Sequence, residues 1–209
     1  MSIISETKYS FGDYIGLDRW ASFYYQLKLI LALAPATMLE IGKGSGVLAD
    51  YLKNHTKVGY QSLDSNPVLQ PDLVGDVRQI PAADQSFDLV AAFEVLEHLP
   101  FDQFERALAE LRRVAKRYVV ISLPDSRPHL RFSLKIPLLP RWQVAFKFSL
   151  ARRAKLAPTG PESHWWEIGW PGYSARQIKA VLKKFFTVRQ EFVPFENQYH
   201  HFYLLEQND

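Results

Sequence analysis

Apolar positions along the chain switch between a helical period and short continuous runs, and the switches outline alternating helices and strands. Residues 17–33, LDRWASFYYQLKLILAL, place apolar side chains at helical spacing and stop ahead of Pro35. TMLEIG, residues 37–42, is a short apolar run closing on glycine, as a first buried parallel strand should be. In VLADYLKN the side chains of Val47, Leu48, Tyr51 and Leu52 share one face, so a helix follows. KVGYQSLD, residues 57–64, reads as a second strand ended by SNP turn chemistry. PDLVGDVRQI gives a short third strand and SFDLVAAF a fourth.

The pattern continues with a helix over residues 101–116, whose inward stripe is Leu108, Leu111 and Val114. RYVVISLP is a fifth strand closed by proline. YSARQIKAVLKKF is helical again, with Ser174 placed to cap it before Gln177. FTVRQEFVPFE and YHHFYLLEQ end the chain as two strands so close in sequence that an antiparallel pair is expected. Alternation of this kind predicts an α/β fold with a mainly parallel sheet. The 209 residues suit one domain, 1–209, with no internal repeat and no low-complexity tract. A segment broken by Pro128, Pro137, Pro140 and Pro158, about 126–161, reads as an insertion before the last helix.

Charge changes the picture of that insertion. From Ser126 to Pro161 there is no Asp or Glu, while eight Lys and Arg residues fall there; the net charge of the whole chain is only +3. The rest of the protein is therefore acidic, and one basic segment is attached to it. The chain has no cysteine, which excludes disulfides, thiolate zinc sites and cysteine nucleophiles. The first residues lack the charged-then-apolar pattern of a secretory signal, and no apolar run approaches the ~18 residues of a membrane span. A cytoplasmic protein is the expectation.

Candidate chemistry centres on Glu40-Ile-Gly42-Lys-Gly44-Ser-Gly46, between the first strand and its helix. Glycines let the backbone turn tightly and approach a ligand, and the helix start offers N–H groups. Asp64, at the end of the second strand, suits the hydroxyls of a ribose, and Asp76, after the third, an adenine amino group. Val47 stands where a dinucleotide fingerprint needs a small residue, which disfavours NAD and FAD. Glu40 would repel a pyrophosphate but suits a cationic ligand, so the loop favours a positively charged nucleoside.

MLEIGKGSGVLADYL, QSLDSNP, PDLVGDVRQIPAADQSFDLVAAFEVLEHLP and YVVISLP, from Thr37 to Pro124, resemble in order and spacing the successive motifs of class I methyltransferases. The small-molecule group containing the quinone-biosynthesis methyltransferases is the most similar. The resemblance implies a Rossmann-like seven-stranded sheet with an antiparallel last strand, and S-adenosylmethionine as cofactor. It places Glu40, Gly42, Gly44 and Gly46 around the methionine portion, Asp64 on the ribose and Asp76 with Val77 at the adenine. Phe93 and Glu94 fall where cofactor and acceptor meet. Lys43 is an unusual charge in the loop, free on sequence grounds to point outward or to hold a carboxylate.

Methyl transfer needs an aligned nucleophile and, for a hydroxyl or protonated amine, a general base. His98, in Glu94-Val-Leu-Glu97-His98, and His164, in SHWWEIGW with Glu167 three residues on, are the candidate bases. The other reading of each is a capping or packing residue. Glu94, Glu97 and His98 offer adequate chemistry for magnesium or zinc, but the same letters occur in metal-free look-alikes, so no metal is assigned. SHWWEIGWPGYS reads equally as a site-forming turn and as an aromatic plug. Tyr9, Tyr14 and Arg19 are expected near the cofactor.

The expected acceptor is a small molecule or a lipid-linked one. The basic segment has three readings: a lid over the acceptor pocket, a peripheral membrane contact through 127–155, or a nucleic-acid contact. Nucleic acid is the disfavoured partner, because FEVL stands where many amino-group nucleic-acid methylators carry an N-P-P-Y type signature. A nucleic-acid or protein methyltransferase, and a non-catalytic cofactor-binding or membrane-surface protein, are the rival classes.

Overall fold

The computed structural model describes residues 15–148 and 163–208. Its frame is a seven-stranded sheet in the order β3-β2-β1-β4-β5-β9-β8. The strands are β1 (Thr37–Ile41), β2 (Gly59–Asp64), β3 (Leu73–Val74), β4 (Phe87–Phe93), β5 (Ala115–Pro124), β8 (Phe186–Phe192) and β9 (His200–Gln207). β1 to β5 run parallel, and β9 inserts antiparallel between β5 and β8. The sheet and its antiparallel last strand agree with expectation, with one trimming: only Leu73 and Val74 of the third stretch pair as a strand.

Among the described residues four α-helices cover the two faces: α1 (Leu17–Leu33), α2 (Val47–His55), α3 (Phe104–Val114) and α4 (Ala175–Phe185). Alternation along the central strands divides the core. Leu89 and Ala91 of β4 join Met38, Leu48, Leu52 and Ile30 on the α1/α2 face. Val90 and Ala92 join Leu108, Leu111, Ile178 and Leu182 on the α3/α4 face. Ser174 closes a capping box with Gln177, so α4 starts where the sequence placed it. The predicted 101–116 helix instead begins with a single 3-10 turn at Phe101–Gln103 and gives up Ala115 and Lys116 to β5.

The insertion contains an element the sequence reading did not foresee. β6 (His129–Leu134) and β7 (Trp142–Lys147) form a separate two-stranded antiparallel ribbon. Its base is fixed to the end of β5 by buried Asp125. The Arg127 guanidinium donates to both carboxylate oxygens, at 2.9 and 2.7 Å, and Lys147 Nζ lies 2.8 Å from Oδ2. His201 Nδ1 lies 3.1 Å from the same oxygen. These partners hold the Asp125 carboxyl well below the usual carboxylate range against the opposing effect of its burial. No helix among the described residues is long and apolar enough to cross a membrane.

Candidate active site

Strand register brings the glycine loop to the point where the sheet order reverses, the crevice at which open α/β sheets bind ligands. Ile41 is paired with Leu63 on one side and Ala92 on the other, so the chain leaves β1 between the ends of β2 and β4. Gly42, Gly44 and Gly46 then adopt φ of 79°, 52° and 75°, a region L side chains enter at a cost. At Gly42 an added Cβ would meet Val95 Cγ2 at 2.5 Å, so the loop presses directly on the turn that follows β4. Beside Gly44 and Gly46 a Cβ would meet nothing nearer than 3.9 Å, leaving room against the backbone. No side chain caps the start of α2.

Asp64 ties this loop to β2. Its Oδ2 accepts from the Lys43 amide at 3.0 Å and its Oδ1 from the Asn66 amide at 2.9 Å. Each oxygen has a further lone pair for a hydroxyl donor. The Lys43 ammonium donates to the Leu69 and Gln70 carbonyls at 2.8 and 2.7 Å, which settles its direction: it braces the turn after β2. Glu40 is buried and accepts a hydrogen bond from the Tyr60 hydroxyl. Burial pushes its carboxyl up to about 8, and the Asp64 charge adds to that, against the opposing Tyr60 bond and Lys43 charge. Asp76 has both oxygens engaged by Arg78, whose hydrogen bonds hold the carboxyl below its ordinary value. Val77 is buried in the α3/α4-side core.

The other wall of the crevice gathers acids and histidines from three parts of the chain, with Arg19 from a fourth. Glu94 follows β4 at φ 54°, a left-handed backbone uncommon for a residue with a Cβ, and there the chain turns toward Glu97 and His98. Glu97 is fully buried, and neither carboxylate oxygen has a hydrogen-bond partner. Burial raises both carboxyls, and the proximity of the two acids raises that of Glu97 further. His164 Nδ1 lies 2.9 Å from Glu167 Oε1, while its Nε2 lies 3.9 Å from Glu97 Oε1. The His98 and His164 rings meet edge to face at 4.9 Å between centroids. Tyr199 places its hydroxyl 3.4 Å from His164 Nδ1, and His200 Nε2 lies 3.6 Å from Glu94 Oε2. Burial lowers His200 to about 3, so it is neutral. Arg19, at the start of α1, acts electrostatically on Glu94, Glu97 and His200.

The two candidate bases, 66 positions apart in sequence, therefore adjoin one another, and Glu94 acts electrostatically on the neighbouring Glu97. Phe93 turns to the α1/α2 face, its ring 6.2 Å from that of Phe202. The SHWWEIGWPGYS segment satisfies both of its readings at once. Trp166 is the plug, fully buried against Phe101, Phe104 and Tyr173 with its indole N–H donating to the Leu99 carbonyl at 3.1 Å. His164 and Glu167 face the crevice. Arg19 stands by Glu94, Glu97 and His200; Tyr9 and Tyr14 lie outside the described residues, as does 149–162 of the basic segment. Glu167 was noticed only as a neighbour of His164, and Tyr199 and His200 were missed. Glu97, His98 and His164 each offer a ligand atom, all within 4.8 Å of one another, so this trio is also where a divalent ion could be held.

Comparison with known proteins follows the same lines. The family model described as a methyltransferase domain matches residues 39–121. A search of curated proteins gives no significant match. Among solved structures, a SAM-dependent methyltransferase from Aquifex aeolicus is similar at a TM-score of 0.62 and 15% identity, covering 99% of this chain and 100% of that one. The 1,6-didemethyltoxoflavin-N1-methyltransferase of Burkholderia thailandensis, with bound 1,6-didemethyltoxoflavin and S-adenosylhomocysteine, aligns at 0.58 and 16% identity over 92% of this chain and 78% of its own. The small RNA methyltransferase HEN1 aligns at 0.63 and 15% identity, over 91% of this chain but 25% of its own. Sheet order and structural similarity agree: the chain has the class I S-adenosylmethionine-dependent methyltransferase fold, and its residues 39–121 match the methyltransferase domain model.

Proposed function

We propose that the protein transfers a methyl group from S-adenosylmethionine to a small-molecule or lipid-linked acceptor, with His164 as general base. The observation that carries this reading is the convergence of two features on one crevice. A glycine loop held by Asp64 forms one wall, and the His98–His164 pair with its glutamates forms the other. The cofactor supplies an activated methyl group whose sulfur keeps the electron pair of the broken bond. The fit is chemical: room beside Gly44 and Gly46, spare acceptor capacity on Asp64, and a Lys43 ammonium turned away onto the Leu69 and Gln70 carbonyls.

The chain's own residues have the remaining tasks. Glu167 orients the His164 ring through Nδ1, which leaves Nε2 to take a proton. Glu97, its carboxyl raised by burial and by Glu94, stands 3.9 Å from that nitrogen. Trp166 fixes the backbone that carries both His164 and Glu167. Known relatives of the fold act on acceptors as different as 1,6-didemethyltoxoflavin and small RNA, so the acceptor class rests on this chain. Acids and histidines stand with Arg19 on the histidine wall of its crevice, a balance that suits an uncharged or cationic acceptor better than a polyphosphate backbone.

The test is transfer of labelled methyl from S-adenosylmethionine into separated small-molecule, lipid, RNA and protein fractions of a cell extract. Label in the small-molecule or lipid fraction is expected, with His164→Gln losing at least about a hundredfold of the rate. Label confined to RNA or protein, or calorimetry showing no binding of S-adenosylhomocysteine, would overturn the proposal.

A further inference from the structure

The β6–β7 ribbon is unusual because its apolar face is turned outward. Cross-strand partners Leu130 and Phe146, Phe132 and Val144, and Leu134 and Trp142 lie on one face. The five larger side chains of that face are between 53% and 64% exposed. The opposite face holds the ribbon to the body: Lys147 reaches Asp125 and the Gln198 carbonyl, and Arg131 the Phe195 and Glu196 carbonyls. Every residue of β6, and all of β7 but Val144 and Lys147, is exposed, so the ribbon projects from the body with its apolar face uncovered. An exposed apolar surface of this kind marks a docking surface.

The connecting turn says what it docks on. Lys135-Ile-Pro-Leu-Leu-Pro-Arg141 projects Leu138 fully into solvent at φ 67°, with Leu139 half exposed beside it. A cation stands at each shoulder, and no acid occurs anywhere between Ser126 and Pro161. Trp142, at the start of β7, lies where an aromatic ring would meet the headgroup level. Apolar tip, aromatic shoulder and unopposed cations together match an anionic lipid surface. A protein partner would have to supply acids around an apolar groove; a second copy of the ribbon would set these cations against one another.

We propose that the ribbon docks the protein peripherally on anionic membranes, the Leu138–Leu139 tip entering the acyl boundary and Lys135 and Arg141 holding headgroup phosphates. Because Lys147 and Arg127 fasten the ribbon at the ends of β5 and β9, docking would bring the crevice mouth to the lipid surface. That consequence deepens the lipid-linked side of the function proposed above; the docking itself does not depend on methyl transfer.

The experiment is flotation of the full chain, without cofactor, on vesicles of phosphatidylcholine with phosphatidylglycerol and on vesicles of phosphatidylcholine alone. Binding is expected on the anionic vesicles. A Leu138→Ser/Leu139→Ser variant should bind at least about tenfold more weakly, from the lost apolar transfer. A Lys135→Glu/Arg141→Glu variant should lose a comparable factor and its salt dependence. Unchanged melting temperatures and unchanged S-adenosylhomocysteine affinity would keep this result separate from the methyltransferase reading. The proposal fails if the wild type does not float. It fails if the leucine variant floats like the wild type, which would leave only adsorption of a basic surface. It also fails if sedimentation shows a dimer that the leucine variant dissociates, because the face would then belong to a second copy.

Discussion

Gly42 has to meet two separate demands, a left-handed backbone and the space occupied by Val95, and substitutions can tell them apart. Gly42→Ala should cost about 1–2 kcal/mol for the backbone alone, with a further cost for the 2.5 Å approach to Val95 Cγ2. A Gly42→Ala/Val95→Ala double variant should recover the second part and not the first, measured by urea unfolding; purely additive losses would show that the loop does not press on that turn. Asp64 gives a complementary expectation for binding. Replacing it with Ala removes an anionic acceptor from the loop where the proposed cofactor would sit and releases the Lys43 amide. S-adenosylhomocysteine affinity should fall about tenfold to a hundredfold, on the scale of a charged hydrogen bond. Equal calorimetric affinity in the variant would remove Asp64 from the binding site. The glycines and Asp64 were readable because their spacing is local to one strand–loop–helix unit. The bracing role of Lys43 was not, since it depends on carbonyls 26 and 27 positions away.

At the scale of elements, the legible parts were those whose burial imposes a period. β1, β4 and β5 read as apolar runs because both faces are covered, and α3 read as a stripe because only one face is. The ribbon was missed although Leu130, Phe132 and Leu134 alternate perfectly, because the prolines around it suggested irregular chain and nothing local distinguishes an outward apolar face. Tyr199 and His200 could have been found from topology. An antiparallel last strand begins at the end where the parallel strands finish, so the first residues of β9 must stand beside the ends of β4 and β5. The Asp125 cluster makes the ribbon a fixed element. Asp125→Ala leaves Lys147 and Arg127 poorly solvated and unpaired, and should cost about 3–5 kcal/mol in urea unfolding. Ser174→Ala, which only uncaps α4, should cost about 1 kcal/mol and serves as the control for an ordinary polar loss. Equal losses at the two sites would mean that the cluster does not bear on global stability.

For the molecule as a whole, three buried glutamates give the folded state an uncommon response to pH. Glu40 is raised to about 8, and Glu94 and Glu97 are raised in the same direction, each chiefly by burial. In the unfolded chain a glutamate titrates near its ordinary ~4.3. Between these values the folded protein holds protons that the unfolded one has lost, so unfolding releases protons and stability must fall as pH rises. His200 acts with the opposite sign: lowered to about 3, it costs stability only as pH drops below its ordinary value near 6.5. Above pH 6.5 the glutamates therefore act without that opposition. Each proton released is worth about 1.4 kcal/mol per pH unit, so moving from pH 6.5 to 8 should cost on the order of 2 kcal/mol for each glutamate still protonated. Chemical unfolding at the two pH values measures the sum, and Glu40→Gln isolates one share. Glutamine keeps an acceptor for the Tyr60 hydroxyl but cannot ionise, so the variant should lose about that amount of the slope and gain stability at pH 8. A wild type equally stable at both values, or a variant with an undiminished slope, would mean that Glu40 is charged in the folded protein. The wall beside the glycine loop would then carry a fixed anion at neutral pH rather than one that forms in alkali.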